Sequence, residues 1–379
     1  MKVVIAIDSF KGSMTSMEAG YAAKDGILAA CPDAEVVVKP LADGGEGTVN
    51  ALVEGLGGEY VKVDVEGPMG TPVTATYGVM ADHTTAIMEM AEASGIILVN
   101  RNDLNPWKAS TVGVGEMIKD AVIKGCRDFI IGIGGSATTE GGIGMLTGLG
   151  YKFYDADGNV LPPVFASLNK IAKIDGSEVL PELKECHFQI ACDVTNPLCG
   201  ENGCVYIYGP QKGVKQEERE EMDGYMRHFA QVTAEYLGQD YSEFPGAGAA
   251  GGLGFAFKSY IPNSELKPGI KIVLDAIQLE ETLKDADIVI TGEGRLDSQT
   301  ANGKVPVGVA KLAKKYGCKV LAFAGGVTYD AGACNQAGID AFFPIVRGVC
   351  TLDEAMDPST AKKNMVLSVE QVFNLIAKY

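Results

Sequence analysis

Short apolar runs alternate with helical patterns at both ends of the chain. Residues 3–7 are continuously apolar and lead into a polar loop, a pattern typical of a strand that is buried on both faces of a sheet. Helical spacing follows over residues 16–30, and residues 35–38 predict a second strand. Such alternation predicts a parallel sheet with right-handed crossovers. It returns late in the chain, with predicted strands at 288–290, 319–324 and 341–345 and predicted helices at 305–316, 331–337 and the C-terminus.

The middle of the chain follows a different pattern. Residues 73–80 and 151–154 predict antiparallel or mixed strands separated by turn residues, and residues 215–236 predict a long amphipathic helix. Segments rich in glycine and proline, 67–72 and 261–269, flank this region. We therefore predict an α/β protein with a discontinuous parallel-sheet domain, residues 1–69 and 270–379. A mixed-sheet α/β domain, residues 70–269, interrupts it, and we expect the active site in the cleft between the two.

Composition and charge narrow the class of protein. A chain of 379 residues with 46% hydrophobic and 21% charged residues is long enough for two folded domains. Its net charge of −17 repels nucleic-acid phosphates and anionic membranes, so an anionic substrate must be held by local groups. No apolar run reaches the length of a signal sequence or a membrane helix, which predicts a cytoplasmic protein. The nine cysteines match no disulfide framework or zinc pattern.

The first polar loop, residues 8–13, directly follows the first predicted strand. Ligands of open parallel sheets bind beyond the carboxyl ends of the strands, so loops at this position are the candidates for function. The loop carries the carboxylate of Asp8, the hydroxyls of Ser9 and Ser13, and the ammonium of Lys11. Lys11 can hold a phosphate or a substrate carboxylate as a point charge. The alternative is that Asp8 and Ser13 only cap the next helix.

Carboxylates recur in three further loops that follow apolar runs. Among glycines, such groups suit either magnesium or the hydroxyls of a substrate, although Asp–Gly pairs also form ordinary turns. A guanidinium beside two of them can form a fork for a carboxylate or phosphate. The residues concerned are Asp43 and Glu46 in the 43–48 loop, Asp193 after residues 188–192, and Glu293, Arg295 and Asp297 in the 292–300 loop.

A glycine-rich loop follows the apolar run 129–133. Small residues before a helix N-terminus expose backbone amides that can bind an anion, and here they are Gly134, Gly135, Ser136 and Thr138. The segment also matches the relaxed dinucleotide fingerprint through residues 132, 134 and 137. Because no clear βαβ unit surrounds it, we interpret the loop as a phosphate site without nicotinamide. Close packing of a helix on a strand is the alternative.

None of the three histidines lies in these loops, which argues against a Ser-His-Asp or Cys-His nucleophile and points to a carboxylate base. The P-loop and protein-kinase motifs are also absent from the sequence. A kinase with this sequence would use neither of the two common architectures.

Taken together, the loops closely resemble those of the bacterial type-1 glycerate kinases, in the same order along essentially the whole chain. The resemblance implies ATP-dependent phosphorylation of D-glycerate with Mg²⁺, with 2-phosphoglycerate as the favoured product. It also implies a flavodoxin-like parallel-sheet domain interrupted by the second domain. One departure is Glu140, where the family motif usually has aspartate. The matching segments are residues 8–13, 42–48, 134–138, 193–198, 246–252 and 292–294.

The resemblance and the loop chemistry together assign a role to each candidate residue. Asp193 is our preferred general base, with Asp8 and Asp297 as alternatives, and Lys11 is the catalytic cation. Substrate contacts are assigned to Ser9, Ser13, Asp43 and Arg295, phosphate contacts to Gly134, Gly135, Ser136 and Thr138, and magnesium to Glu46 and Glu293.

Two other classes of protein remain open from the sequence. A nicotinamide-dependent hydroxy-acid dehydrogenase explains the glycine pattern at 132–137 but lacks a histidine in the loops. A non-catalytic two-lobed binding protein explains the two flanking segments but does not need carboxylates beside Lys11 and Arg295. The number of subunits is not predicted by any feature of the sequence.

Overall fold

The chain divides into two units by its internal contacts. A computed structural model describes residues 1–302 and 304–378. The first unit comprises Met1–Asp43, Asn50–Gly57 and Ile270–Tyr379, and the second comprises Gly44–Val49 and Gly58–Gly269. Among the described residues, no helix is both long enough and apolar enough to cross a membrane.

The elements alternate along the chain as the hydrophobic pattern predicts. The strands are β1 (Lys2–Ala6), β2 (Glu35–Lys39), β3 (Gly58–Glu66), β4 (Pro72–Met80), β5 (Thr85–Glu89), β6 (Asp128–Gly132), β7 (Lys152–Tyr154), β8 (Lys173–Asp175), β9 (His187–Ala191), β10 (Ser264–Lys267), β11 (Ile288–Leu296), β12 (Lys319–Val327) and β13 (Ala341–Pro344). The α-helices are α1 (Ser16–Ala30), α2 (Thr48–Leu56), α3 (Ala91–Ser94), α4 (Val112–Ile123), α5 (Ile143–Gly148), α6 (Cys204–Tyr208), α7 (Arg219–Leu237), α8 (Leu253–Tyr260), α9 (Gly269–Ala276), α10 (Leu279–Leu283), α11 (Val305–Lys315), α12 (Ala333–Gln336), α13 (Leu352–Met356) and α14 (Pro358–Ile376). Short 3₁₀ turns lie at Ile96–Leu98, Arg101–Asp103, Phe165–Lys170, Pro181–Glu185, Pro210–Lys212, Gln216–Glu218, Ala249–Gly252 and Thr300–Asn302.

The first unit contains a parallel sheet of five strands in the order β13-β12-β11-β1-β2. Numbered within this unit, the order is 2-1-3-4-5, which is the flavodoxin-like arrangement that the family resemblance implies. Ile288 and Ile290 face a core shared with α1 and α14, while Val289 between them is buried outside that core. Since neighbouring side chains of a strand point to opposite faces, both faces of the sheet are covered.

The second unit contains a mixed sheet of six strands in the order β10-β9-β6-β5-β4-β3. Strands β5, β6, β9 and β10 are parallel, whereas β3 and β4 form an antiparallel pair beside them. β7 and β8 form a separate antiparallel pair. Stacked Phe129 and Phe188 lie in the core of this unit, and Phe257 packs beside Phe188. The α/β class with one parallel and one mixed sheet is thus confirmed.

Two details of the structure differ from the sequence prediction. β3 pairs with β4 along its whole length and groups with the second unit, although we placed the boundary after residue 69. The alternation of half-buried valines in β3 predicts a strand but not which sheet it joins. In addition, β11 continues to Leu296, because it pairs with β12 as far as Val327, so Glu293 and Arg295 lie on a strand and not in a loop.

Candidate active site

The loop after β1 is a tight turn that presents Lys11 to solvent. The amide of Phe10 donates to the carbonyl of Met14 at 2.9 Å, and the amide of Met14 donates back to Phe10 at 3.0 Å. Gly12 takes a φ of 78°, a conformation that suits glycine far better than other residues. Lys11, between these residues, is exposed. The turn therefore fixes the backbone of this cation at the carboxyl edge of the sheet.

The cap of α1 is Thr15, and the alternative role of Asp8 and Ser13 as caps is wrong. Thr15 Oγ1 accepts from the amide of Glu18 at 3.2 Å, and Glu18 Oε2 accepts from the amide of Thr15 at 2.9 Å. This reciprocal capping box satisfies the helix terminus without the polar loop. Ser13 Oγ is buried and has no hydrogen-bond partner among the described residues.

Ser16 joins the loops that follow β1 and β2. Its hydroxyl donates to the carbonyl of Ile7 at 2.7 Å and accepts from the amide of Leu41 at 2.8 Å. Because Ser16 is buried, both bonds are shielded from water. This contact holds Asp8 and Asp43 on neighbouring loops of the same sheet edge.

Asp8 is a part-buried carboxylate beside other acidic groups. Its amide donates to the carbonyl of Gly292 at 2.9 Å, and its Oδ1 accepts from the amide of Ser9 at 2.7 Å. Burial raises the pKa of Asp8 to about 7, and the nearby carboxylates of Asp43 and Glu293 act in the same direction. A carboxyl group of this kind changes protonation near neutral pH.

The end of β11 supplies Glu293, Arg295 and Asp297. Glu293 Oε1 accepts from Thr300 Oγ1 at 2.6 Å, and burial raises the pKa of Glu293. Asp297 Oδ1 accepts the amides of Gln299 at 2.9 Å and Thr300 at 3.2 Å, so it closes the turn that follows the strand. The Arg295 side chain is 70% exposed, and its Nε lies 3.7 Å from Asp297 Oδ2. Arg295 is thus available to an anionic ligand.

The glycine-rich loop after β6 is held by hydrogen bonds to the segment after β5. Ala137 donates to the carbonyl of Ser94 at 2.9 Å, and Ile96 donates to the carbonyl of Gly135 at 2.8 Å. Gly134 and Gly135 are exposed, and a Cβ at Gly134 would meet no atom within 4 Å. Gly134 therefore leaves open space beside its peptide group, as a phosphate site requires.

Lys212 is a buried residue that donates hydrogen bonds to this loop, and the sequence did not predict it. Only 1% of the residue is exposed, and its Nζ donates to Ser136 Oγ and to the carbonyl of Thr138, both at 2.6 Å. Burial lowers the pKa of Lys212 to about 8. Its position in a separate short turn, far along the chain from the loop, gave no local signal of this contact.

Glu140 ends the glycine-rich loop and is completely buried. Its Oε1 accepts the amides of Thr111 at 2.9 Å and Gly144 at 3.2 Å, together with the Thr111 hydroxyl. Burial raises the pKa of Glu140, while these donors oppose the shift. The side chain therefore joins the starts of α4 and α5 and supports the end of the loop.

The 43–48 segment passes over the carboxyl ends of β6 and β9. A Cβ at Gly44 would lie 2.5 Å from Gly269 Cα, and one at Gly132 would lie 2.4 Å from the carbonyl oxygen of Gly44. Asp193, which follows β9, is exposed, and its Oδ1 accepts the amide of Gly269 at 3.0 Å. At this edge of the second unit's sheet, the backbone at Gly44 thus lies close to Gly132 and Gly269, and Gly269 also donates to the Asp193 carboxylate.

Glu89, at the end of β5, is a second residue that the sequence analysis missed. It is buried, its Oε1 accepts the amide of Val49 at 3.0 Å, and burial raises its pKa to about 7. Glu46 is exposed and contributes to that shift through its negative charge. In the sequence, a single acidic residue after an apolar run looks the same as an ordinary exposed strand end.

The small-residue turn at 246–252 packs against the glycine-rich loop. The amide of Gly141 donates to the carbonyl of Gly251 at 2.8 Å, and a Cβ at Gly251 would lie 2.2 Å from the carbonyl oxygen of Thr138. Gly251 also has a φ of 69°. Glycine is needed here for close backbone contact.

Gly251→Ala should therefore lower the free energy of unfolding by at least about 2 kcal/mol, because the added methyl group meets a backbone carbonyl. Gly224→Ala is the matched control: Gly224 lies in α7 with no atom near the added Cβ, so alanine should raise stability by ~0.5–1 kcal/mol. Urea unfolding of both variants measures the difference. Equal effects would contradict the packing role of Gly251.

The candidate magnesium residues do not form a preformed metal site. Across residues 1–302 and 304–378, no three His, Cys, Asp or Glu side chains gather as a metal-binding group. Glu46 and Glu293 belong to different units. Mg²⁺ is commonly bound by one or two carboxylates together with substrate phosphates, and single carboxylates such as Glu293 fit that mode.

The parallel strands, with cations, carboxylates and an exposed glycine loop at their carboxyl ends, define an α/β enzyme that binds anionic small molecules. The model of the glycerate kinase family matches residues 3–377, and the chain belongs to that family. It is therefore a kinase.

Individual relatives support the same assignment over nearly the whole chain. The chain is 47% identical to the glycerate 2-kinase of Escherichia coli, covering 94% of this chain and 93% of that protein. It is 46% identical to the glycerate kinase of Halalkalibacterium halodurans, covering 93% of each. A crystal structure of glycerate kinase 2 from Salmonella typhimurium superposes with a TM-score of 0.92 at 43% identity, covering 100% of this chain and 98% of that one. The dehydrogenase and non-catalytic alternatives are thus excluded.

Proposed function

We propose that the protein transfers the γ-phosphoryl group of ATP to D-glycerate in the presence of Mg²⁺ and that the product is 2-phosphoglycerate. The observation that carries the proposal is the full-length similarity to the Escherichia coli glycerate 2-kinase. Phosphoryl transfer depends on positioning and charge neutralisation more than on covalent catalysis, and the polar loops supply groups suited to both tasks.

The first unit supplies the groups that suit the acceptor. Exposed Lys11 and Arg295 are the cations for the glycerate carboxylate or the transferred phosphoryl group. Ser9, Ser13 and Asp43 offer partners for the carboxylate and hydroxyls of glycerate. These contacts compensate locally for the net charge of −17.

The second unit supplies the groups that suit the phosphate chain of ATP. Gly134 and Gly135 expose their peptide groups, and Ser136 and Thr138 continue the same loop. Bound Mg²⁺ would neutralise charge on the phosphates, with Glu46 and Glu293 as the candidate carboxylates.

Among the three candidate bases, the structure favours Asp8 over Asp193 and Asp297. A general base works best when its pKa lies near the working pH, and burial raises the pKa of Asp8 to about 7. All three carboxylates accept a backbone amide through one oxygen, so these hydrogen bonds do not distinguish them. Burial of the carboxyl group distinguishes Asp8, whereas Asp193 is exposed.

The proposed activity can be tested by following ADP release from purified protein. ADP should appear only when D-glycerate, ATP and Mg²⁺ are all present, and lactate should not replace glycerate. Absence of release with glycerate, or equal release with lactate, would refute the assignment.

The phosphorylated hydroxyl can be read from the phosphorus NMR spectrum of the product. An ester of the secondary 2-hydroxyl couples to one proton and gives a doublet, whereas an ester of the primary 3-hydroxyl gives a triplet. We expect the doublet. A triplet would retain the kinase but change its product.

A further inference from the structure

We infer that Lys212 is a positioning residue that holds the glycine-rich loop in the geometry that binds the phosphates of ATP. The inference rests on the proposed function of that loop. Lys212 itself is buried and does not reach the open side of the loop, so it would act through the residues that it contacts.

The contacts of Lys212 fix two points of the loop at once. Nζ donates to the side chain of Ser136 and to the backbone carbonyl of Thr138, both at 2.6 Å. The bond to Thr138 sets the direction of a peptide group, and the bond to Ser136 sets a rotamer. Gly134 and Gly135, just before these two residues, are the exposed part of the loop.

The lysine is held by a rigid turn of its own. The amide of Lys212 donates to the carbonyl of Gly209 at 2.9 Å, and the amide of Val214 donates to the same carbonyl at 3.1 Å. Gly213 has a φ of 100°, and a Cβ at Gly209 would lie 2.2 Å from the carbonyl oxygen of Val205. The 3₁₀ turn therefore directly continues α6, and its hydrogen bonds fix the backbone of Lys212 relative to that helix.

Energetics argue against a purely structural role for this charge. Removing an ammonium from water costs free energy unless its N–H groups find acceptors and its charge is balanced by an opposite one. A protein with an apolar side chain of similar volume at such a position is often equally stable or more stable. Buried Glu140 supplies an opposite charge that acts on Lys212, and it ends the loop that Lys212 contacts. A buried cation that is kept despite this cost is best explained by the loop geometry that it enforces.

The test compares Lys212→Met with Lys215→Met, an exposed lysine on the same connecting segment. Calorimetry with Mg²⁺ and a non-hydrolysable ATP analogue measures nucleotide binding without glycerate. Loss of charge-assisted hydrogen bonds to the loop should weaken binding by roughly tenfold or more in Lys212→Met. The KM for ATP should rise with it while the KM for glycerate stays unchanged, and Lys215→Met should bind like the wild type.

Unchanged analogue binding in a folded Lys212→Met protein would overturn the inference, as would an equal rise in both KM values. If Lys212→Met does not fold, Lys212→Gln decides, because its uncharged amide is one bond shorter than the lysine side chain and cannot reach both Ser136 Oγ and the carbonyl of Thr138. Weakened binding supports the inference, and wild-type binding refutes it. A wild-type protein that binds the analogue but does not phosphorylate glycerate would refute the proposed function alone, since the binding comparison does not use glycerate.

Discussion

Asp8→Asn should lower kcat by about 10³-fold while leaving the fold intact, within the range by which general bases accelerate proton transfer. Asparagine keeps the size of the side chain and can still accept from the amide of Ser9, but it cannot take a proton from the attacking hydroxyl. The wild-type kcat/KM should rise with pH through about 7, where Asp8 of the free enzyme loses its proton, and the variant should lack this dependence. Steady-state rates from pH 5.5 to 8.5, a window of roughly three units about that pKa, measure both effects.

The stability of the Asp8→Asn variant distinguishes a catalytic role of Asp8 from a structural one. The pKa of Asp8 is raised from 3.8 to about 7, so the folded state keeps a proton that the unfolded state has lost between those values. Stability therefore falls as pH rises through that window, and it is lowest once Asp8 is ionised. Asp8→Asn at pH 8 should consequently be at least as stable as the wild type. Asp193→Asn and Asp297→Asn are the matched controls. If Asp193→Asn loses all activity while Asp8→Asn keeps it, Asp193 and not Asp8 is the general base.

Lys11→Ala should lower kcat/KM by at least about 100-fold, equivalent to about 2.7 kcal/mol of transition-state stabilisation. Lys11 is exposed on the turn between Phe10 and Met14, and in an acidic protein a local cation is required to neutralise a bound anion. Because the backbone bonds of the turn do not involve the lysine side chain, the melting temperature should change little.

Lys315→Ala provides the control for Lys11→Ala. Lys315 is an exposed lysine at the end of α11, just before β12 begins, and so at the opposite edge of the same sheet. Both variants remove one positive charge from the first unit, but only Lys11→Ala should lose activity. Equal small losses would show that net charge, and not the position of Lys11, determines the rate.

The sequence predicted the parallel sheet well because its strands are short, nearly continuous apolar runs. The runs at 3–7, 35–38 and 341–345 correspond closely to β1, β2 and β13. Segments with mixed patterning were harder. β3 has alternating polar positions, and only its pairing with β4 shows which sheet it joins. β11 was predicted too short because its last residues are small and polar, and pairing with β12 extends it.

Part of the candidate site could be predicted because its loops follow recognisable apolar strands. Loops at the carboxyl ends of parallel strands are visible as polar segments after apolar runs, and Asp8, Asp43, Asp193 and Glu293 were found in this way. Their roles remain predictions. Lys212 and Glu89 could not be found, because each depends on burial against a residue that is distant in sequence. A lysine between Gln211 and Gly213 gives no indication in the sequence that its ammonium is buried.

The strand order of the first unit also governs the order in which the protein can fold during synthesis. β1 pairs with β2 on one side and with β11 on the other, and Val3 is opposite Ile288. The whole second unit is translated before that partner exists, and β12 and β13 follow later still. The second unit can therefore complete its sheet during synthesis, while the edge of β1 that pairs with β11 stays unpaired. An unpaired strand edge of this kind favours aggregation in a partly synthesised chain.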